Sequence, residues 1–217
     1  MYTAGGSLVC QKKEHFENND AFKFQNNEGK KWFIKDNNII YDATNSLSFS
    51  IEKPTDLHGG EESPYIALKD TASGLYVRHA GFVLHLSPYV PNNYDFAWKF
   101  EADTQQNGYY IYNDYKDGSW GKTVKAYIGF DGTYIRIVPE SQKVIFFPSD
   151  PENFFKKYHK TAKYSVTNQN GGNNDGNAYC NQKYKSPCVV GFNKKNDTIT
   201  SCKARGNGSG VIYACKK

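Results

Sequence analysis

Four cysteines near the end of the chain have a type and spacing that could do chemistry: Cys180, Cys188, Cys202 and Cys215. They form no Cys-x-x-Cys pair and no histidine follows His159, so the usual pattern of a structural zinc site is missing. The surrounding Gly- and Asn-rich segment can bury little core, which favours two disulfides over zinc or free thiols. Disulfides need an oxidising setting, outside a cell or on a virus particle. The spacing does not decide how the four pair, or whether Cys10 has a partner.

The sequence contains no catalytic signature. A Gly-x-Ser-x-Gly elbow, a His-Glu-x-x-His pair, a phosphate loop and a dinucleotide fingerprint are all missing from it. His58, Glu61 and Glu62 fall in a Gly-rich stretch that is typical of a solvated turn. Cys10 could act as a nucleophile only if a histidine approached it. We therefore predict a protein that is not an enzyme and has no catalytic residue, metal or cofactor.

Charge and apolar content narrow the choice of partners. The net charge is +5, and residues 161–217 hold nine Lys and Arg against two Asp, so this end carries +7 and the rest −2. A basic end of this kind can bind an acidic partner or simply be solvated. No zinc finger or Arg-rich helix pattern is present, so no nucleic acid is expected.

The sequence contains no run of about 18 apolar residues, so no transmembrane segment is predicted. The first twenty residues also lack the apolar core of a secretion signal.

The elements that must position any site follow from a threefold repeat. Residues 21–53, 64–103 and 108–150 each contain four short apolar runs separated by turn residues, the pattern of β-strands. Phe33, Tyr76 and Tyr127 occupy equivalent places in the three copies. Twelve strands in three four-stranded copies predict a β-trefoil, a six-stranded barrel closed by a cap of three hairpins. Closure would also remove exposed strand edges.

The predicted organisation has four parts. An N-terminal arm covers 1–20 and the trefoil 21–150, followed by a helical or extended connector over 151–167 and a Cys-rich basic module over 168–217. The predicted fold class is all-β: a β-trefoil with a small disulfide-rich module at its end. Six residues of the fourth strands are expected to meet in the barrel or its cap: Phe49, Ile51, Trp98, Phe100, Ile145 and Phe147.

The second repeat resembles the trefoils of the AbfB type, within the fascin-like class. Its segments Gly74–His79, Phe82–Leu86 and Asp95–Phe100 are similar to the Gly-Tyr-(Ile/Leu)-Arg-His and Asp-x-x-(Thr/Ala)-Phe motifs of that family. AbfB-type modules bind arabinofuranose and are attached to hydrolases of the plant cell wall. The first repeat has Lys35-Asp36 where Arg-His would stand, and the third has Gly129-Phe130, so the resemblance implies at most one site.

That implied site is a sugar pocket in the second repeat. The resemblance places His79 and Asp95 in it, with Arg78 beside them and Tyr94 or Tyr89 as a stacking face. The assignment agrees with the chemistry, since sugars need a carboxylate that accepts two hydrogen bonds, an imidazole and an aromatic platform.

A second resemblance lies in the Cys-rich module. The segments Asp175–Cys180 and Pro187–Val190, followed by Asn196-Asp197, Cys202 and Cys215, are similar to a cysteine-rich module in proteins of large DNA viruses of algae and amoebae. The resemblance implies a virion component, and particles of this kind would explain disulfides without a secretion signal.

Two functional hypotheses follow. The leading one is a non-enzymatic structural protein, a minor capsid or surface protein of a large DNA virus, located in the virion and contacting other shell proteins or glycans. The alternative is an extracellular carbohydrate-binding lectin module, or a trefoil toxin or adhesin that targets host glycans. The sequence gives no indication of the oligomeric state.

Overall fold

The computed structural model describes residues 20–116, 123–167, 173–206 and 210–217. The predicted N-terminal arm, except for Asp20, lies outside the described residues. The strands of residues 20–116 are β1 (Ala21–Phe22), β2 (Phe24–Gln25), β3 (Lys31–Lys35), β4 (Asn38–Asp42), β5 (Phe49–Glu52), β6 (Ala67–Asp70), β7 (Tyr76–Ala80), β8 (Val83–Ser87), β9 (Lys99–Asp103) and β10 (Gly108–Lys116). The later elements are β11 (Thr123–Phe130), β12 (Ile135–Val138), β13 (Phe147–Pro148), α1 (Pro151–Thr161), β14 (Ser165–Val166), α2 (Gly176–Tyr184), β15 (Cys188–Asn193), β16 (Thr198–Thr200) and β17 (Val211–Cys215).

The fold is mostly β, as the sequence predicts. Nine antiparallel strands form a half-barrel in the order β1-β5-β6-β7-β8-β12-β11-β10-β9. A second sheet of four strands has the order β13-β2-β3-β4, and a third has the order β14-β17-β15-β16. Two isolated β-bridges, Ile66 to Trp98 and Tyr109 to Phe146, add single residue pairs to these ladders.

Alternation along the strands explains the core. In β5, Phe49 and Ile51 are buried whereas Ser50 and Glu52 point outward, the two-residue period of a half-buried strand. The largest fully buried side chains are aromatic: Trp32, Trp98, Tyr109, Tyr127, Tyr213, Phe22, Phe24, Phe49, Phe96, Phe146, Phe154 and Phe155. Aromatic residues therefore supply the largest side chains of the core.

One part of the predicted barrel lining is wrong by one residue. The expected fourth-strand residues of the first two copies are buried, but in the third copy Phe146 is fully buried while Ile145 and Phe147 are only partly so. Paired backbone hydrogen bonds of 2.8 Å between Tyr109 and Phe146 fix this register. The stretch Val144–Phe147 is apolar throughout, so its sequence does not show which residues face inward, and a shift of one residue exchanges the two faces.

The predicted connector begins with a helix that completes the core. Helix α1 starts at Pro151 after Asp150, whose side chain accepts a hydrogen bond of 3.4 Å from the Asn153 amide. Its buried residues include Phe154, whose ring lies 5.2 Å from that of Phe22 in an edge-to-face contact. The helix therefore packs its aromatic side against the strands of the half-barrel.

The C-terminal region is held by the two predicted disulfides. Cys180 pairs with Cys215 and Cys188 with Cys202, which removes zinc binding and free thiols as alternatives for these four residues. Helix α2 packs closely on β17, because a Cβ at Gly176 would lie 2.6 Å from the Tyr213 ring. Neither helix in the described part of the chain has the length and apolarity needed to cross a membrane.

Candidate functional site

An open cleft of about 530 Å³ lies beside the β7–β8 hairpin. Strand β7 supplies Arg78 and His79, the hairpin tip supplies Phe82, and a 3₁₀ turn over Tyr94–Phe96 supplies Tyr94 and Asp95. Ala126 and Ile137, from the third copy, close the far side. Four of the five residues predicted for the sugar pocket therefore line one cleft.

The hairpin tip presents an aromatic ring to solvent. Ala80 pairs with Val83, so Gly81 and Phe82 form the two-residue connection, and Gly81 takes a positive φ of 66° that suits glycine. The side chain of Phe82 is 65% exposed. A large apolar side chain at a hairpin tip has no core to fill, so Phe82 is available as a wall of the cleft.

Asp95 is held by Arg78 through one of its oxygens. Its backbone amide donates a 2.9 Å hydrogen bond to the side chain of Asn93, which caps the 3₁₀ turn. Arg78 donates from Nε to Asp95 Oδ2 at 3.0 Å, and its Nη2 lies 3.0 Å from the same oxygen. The other oxygen, Oδ1, lies 3.7 Å from His79 Nε2. Asp95 is therefore a fixed carboxylate whose two oxygens lie in different environments.

His79 is buried and favours its neutral form. Burial lowers the pKa of His79, although the Asp95 carboxylate and the Asn113 amide act in the opposite direction. Its ring lies 5.8 Å from those of Trp98 and Tyr94. At neutral pH the cleft therefore combines a carboxylate, a guanidinium and an uncharged imidazole.

Tyr89, the fifth predicted residue, lies outside the cleft. Its hydroxyl donates a 3.0 Å hydrogen bond to Asp56, and its ring packs 5.2 Å from Tyr76 and 5.4 Å from Phe96. Tyr94 is thus the tyrosine that the structure brings to Asp95, while Tyr89 supports the opposite side of the 3₁₀ turn.

Sequence reasoning missed two residues that shape the site. Phe82 begins the segment Phe82–Leu86 of the motif. Its exposure at the hairpin tip, however, follows only from the pairing of Ala80 with Val83. Asn113 is fully buried on β10 and donates from Nδ2 to the carbonyls of Ala97, at 2.6 Å, and of Tyr94. Asn113 follows Tyr109 and Ile111 at intervals of two residues, and a polar residue on that buried face of the strand was the available signal.

The cleft is suited to binding polar, uncharged groups. A carboxylate accepts hydrogen bonds, a guanidinium donates them, and an aromatic face next to both can pack on an apolar ring surface. Residues 20–116, 123–167, 173–206 and 210–217 contain no cluster of three or more His, Cys, Asp or Glu that could hold a metal ion.

Comparison with known proteins shows a distant structural likeness. The sequence matches no protein-family model and no curated protein. Among solved structures, the chain is similar to a GH43 β-1,3-galactosidase, with a TM-score of 0.43 and 17% identity. The match covers 58% of this chain and 27% of the other, so the matched part of the chain spans about a quarter of that structure. Information on the ligand has to come from the cleft itself.

Proposed function

We propose that this protein is a non-enzymatic carbohydrate-binding protein and that the cleft at Asp95 is its sugar site. The observation that carries the proposal is the contact of Asp95 with both Arg78 and His79 on the wall of an open cleft, next to the exposed ring of Phe82. The cleft volume of about 530 Å³ falls within the range of small-molecule sites.

The proposed binding mode uses each group once. Neighbouring sugar hydroxyls donate to the Asp95 carboxylate, and the Arg78 guanidinium donates to a hydroxyl oxygen while holding Asp95 in place. The C–H face of the sugar ring packs on Phe82 or Tyr94. Because His79 is neutral, it can accept or donate a hydrogen bond without adding charge to the site.

The scaffold that we propose is the β-trefoil expected from the repeats. The pairings β1 with β5, β5 with β6, β9 with β10 and β13 with β2 support it. The bridges Ile66 to Trp98 and Tyr109 to Phe146 join the remaining neighbours of a six-segment ring. In this arrangement, the first and last strands of each copy form the barrel and the middle two form a hairpin.

An extracellular setting accompanies the proposal, because two disulfides persist best under oxidising conditions. The hypothesis of a viral capsid or surface protein stays a prediction, as do shell-protein partners and a virion location. The lectin hypothesis is preferred because a defined cleft supports it.

The test is isothermal titration of the full chain with arabinose, galactose and other neutral sugars after a glycan-array screen. We expect binding that Asp95→Asn weakens at least tenfold, the effect of losing a charged hydrogen-bond partner. Glu152→Gln is the matched control, since it removes the carboxylate of another partly exposed ion pair, with Lys156 on α1. Failure of every sugar to bind, or equal binding by the Asp95 variant, would show that the proposal is wrong.

A further inference from the structure

The cleft at Asp95 continues into a second depression. Phe82 and Ile137 line both, and the second one, of about 350 Å³, adds Phe130, Asp131 and Arg136. The guanidinium of Arg136 lies over the Phe82 ring, 5.8 Å from its centroid. Phe82 is therefore a partition between two adjoining spaces, with a wall of the Asp95 cleft on one side of it.

A third depression adjoins the second through Phe130. It has a volume of about 790 Å³ and is lined by Tyr41, Asp42 and Thr133 among other residues. The rings of Tyr41 and Phe130 lie 5.0 Å apart, edge to face, and Phe130 is 40% exposed. We call the three depressions together the hairpin groove, from Asp95 past Phe82 and Phe130 to Tyr41.

The groove follows directly from how three hairpins meet. Strand β12 pairs with β8 at Arg136 and Val83, and the amide of Ile137 donates a 2.8 Å hydrogen bond to the carbonyl of Phe82. Strand β11 ends at Phe130, and β4 brings Tyr41 against it. The exposed rings of Phe82 and Phe130 and the partly buried ring of Tyr41 thus stand in succession across the three hairpins.

The charges along the groove are largely neutralised by pairing, and the further charge, that of Asp42, is negative. Arg78 is held by Asp95, and Arg136 Nη1 lies 2.9 Å from Asp131 Oδ2. In the third depression, Lys30 lies 2.8 Å from its near neighbour Glu28. Such pairs offer donors and acceptors to hydroxyl groups without the net positive charge that an anionic chain would require.

We propose that the hairpin groove binds an uncharged oligosaccharide chain, with Phe82 and Phe130 as successive stacking platforms. This inference rests on the proposed sugar site at Asp95 and extends it from a single sugar to several consecutive units. Exposed aromatic rings spaced along an open groove are suited to this, because each sugar unit has an apolar face and hydroxyl edges.

The experiment titrates the full chain with arabinose, galactose and their oligomers of two to six units, derived from arabinan and galactan. We expect affinity for the preferred series to rise at least tenfold from one unit to six. Phe130→Ala should weaken binding of the six-unit oligomer about tenfold while leaving the single sugar unchanged. Val124→Ala is the matched control, because Val124 is 45% exposed at the other end of β11 and lies outside the groove lining.

The outcomes separate this inference from the proposed function. Equal affinity for one unit and six, or no effect of Phe130→Ala on the longer oligomer, overturns the groove and leaves the sugar site standing. Tighter binding of oligogalacturonate than of the neutral oligomer of equal length overturns the assignment of an uncharged ligand. Binding of all oligomers that Asp95→Asn leaves unchanged overturns the proposed sugar site. Thermal melting of each variant checks that these exposed substitutions leave the fold intact.

Discussion

The stability of the fold should depend on pH through the buried imidazole of His159. This residue lies on α1, fully enclosed, and its Nδ1–H donates a 2.8 Å hydrogen bond to the carbonyl of Phe155. The rings of Phe155, Tyr158 and Tyr164 surround it at 4.3 to 5.7 Å. Burial lowers the pKa of His159 from 6.5 to about 4. Among the residues that the structure describes, no carboxylate offsets the cost of charging it, and only the hydrogen bond to Phe155 favours the charged form.

The magnitude follows from the two pKa values. In the unfolded chain His159 takes up a proton near pH 6.5, whereas in the folded chain it does so only near pH 4. Stability is therefore fully present above pH 6.5 and is lost as the pH falls toward 4. By linkage, the loss amounts to about 2 kcal/mol between pH 7 and pH 5 and about 3 kcal/mol by pH 4.

The assay is urea unfolding of the wild type and of His159→Gln at pH 7 and pH 5. The variant should be less stable at pH 7, but its stability should fall by about 2 kcal/mol less between the two values. Comparing the two proteins cancels the contributions of the carboxylates and of His79 and His85, whose pKa values burial also lowers. Parallel losses in both proteins, or an imidazole NMR titration of His159 near pH 6.5, would refute the reasoning.

Two further predictions concern packing and cross-links. Phe154→Ala should cost about 3–5 kcal/mol in urea unfolding, because its fully buried ring contacts several aromatic side chains, and a loss below 1 kcal/mol would contradict this. Replacing Cys180 and Cys215 by serine opens a loop of 35 residues and should cost about 3–4 kcal/mol. The same change at Cys188 and Cys202, which close only 14 residues, should cost less, and the reverse order would count against the loop-entropy argument.

The sequence predicts the fold best where the pattern of a segment shows which of its residues are buried. Strand β5 alternates apolar and polar residues, so its buried face can be assigned without a structure. The run around Phe146 has no alternation, and its register comes from backbone pairing with Tyr109, which is 37 residues away in sequence. The start of helix α1 can be predicted from its Pro, but where the helix packs depends on the space left between aromatic side chains of the half-barrel. No local sequence pattern encodes that space.

The site shows the same division between local and long-range information. Arg78 and His79 are neighbours in β7, and the motif that contains Asp95 lies close enough in sequence for a resemblance to join them. The rest of the cleft comes from elsewhere. Asn113 fixes the 3₁₀ turn through carbonyls 16 and 19 residues away, and Ile137 arrives with another hairpin. Contacts of that separation leave no periodic trace in a single sequence.

The departures of the other two repeats from the Arg-His motif bear on how many ligands one chain can hold. The motif predicts Asp36 and Phe130 at the place of His79, but the pairing in the first copy is different. Lys35 pairs with Asn38 as Ala80 pairs with Val83, so Ile34 takes the place of His79 and Asp36 that of Gly81. Asp36 takes a positive φ of 48° in the turn between β3 and β4, where its side chain lines none of the three depressions of the groove. Phe130 instead supplies an apolar wall beside the one polar constellation that remains. Three equivalent polar sites would each hold one sugar, whereas one polar site flanked by aromatic walls favours a single extended ligand per chain.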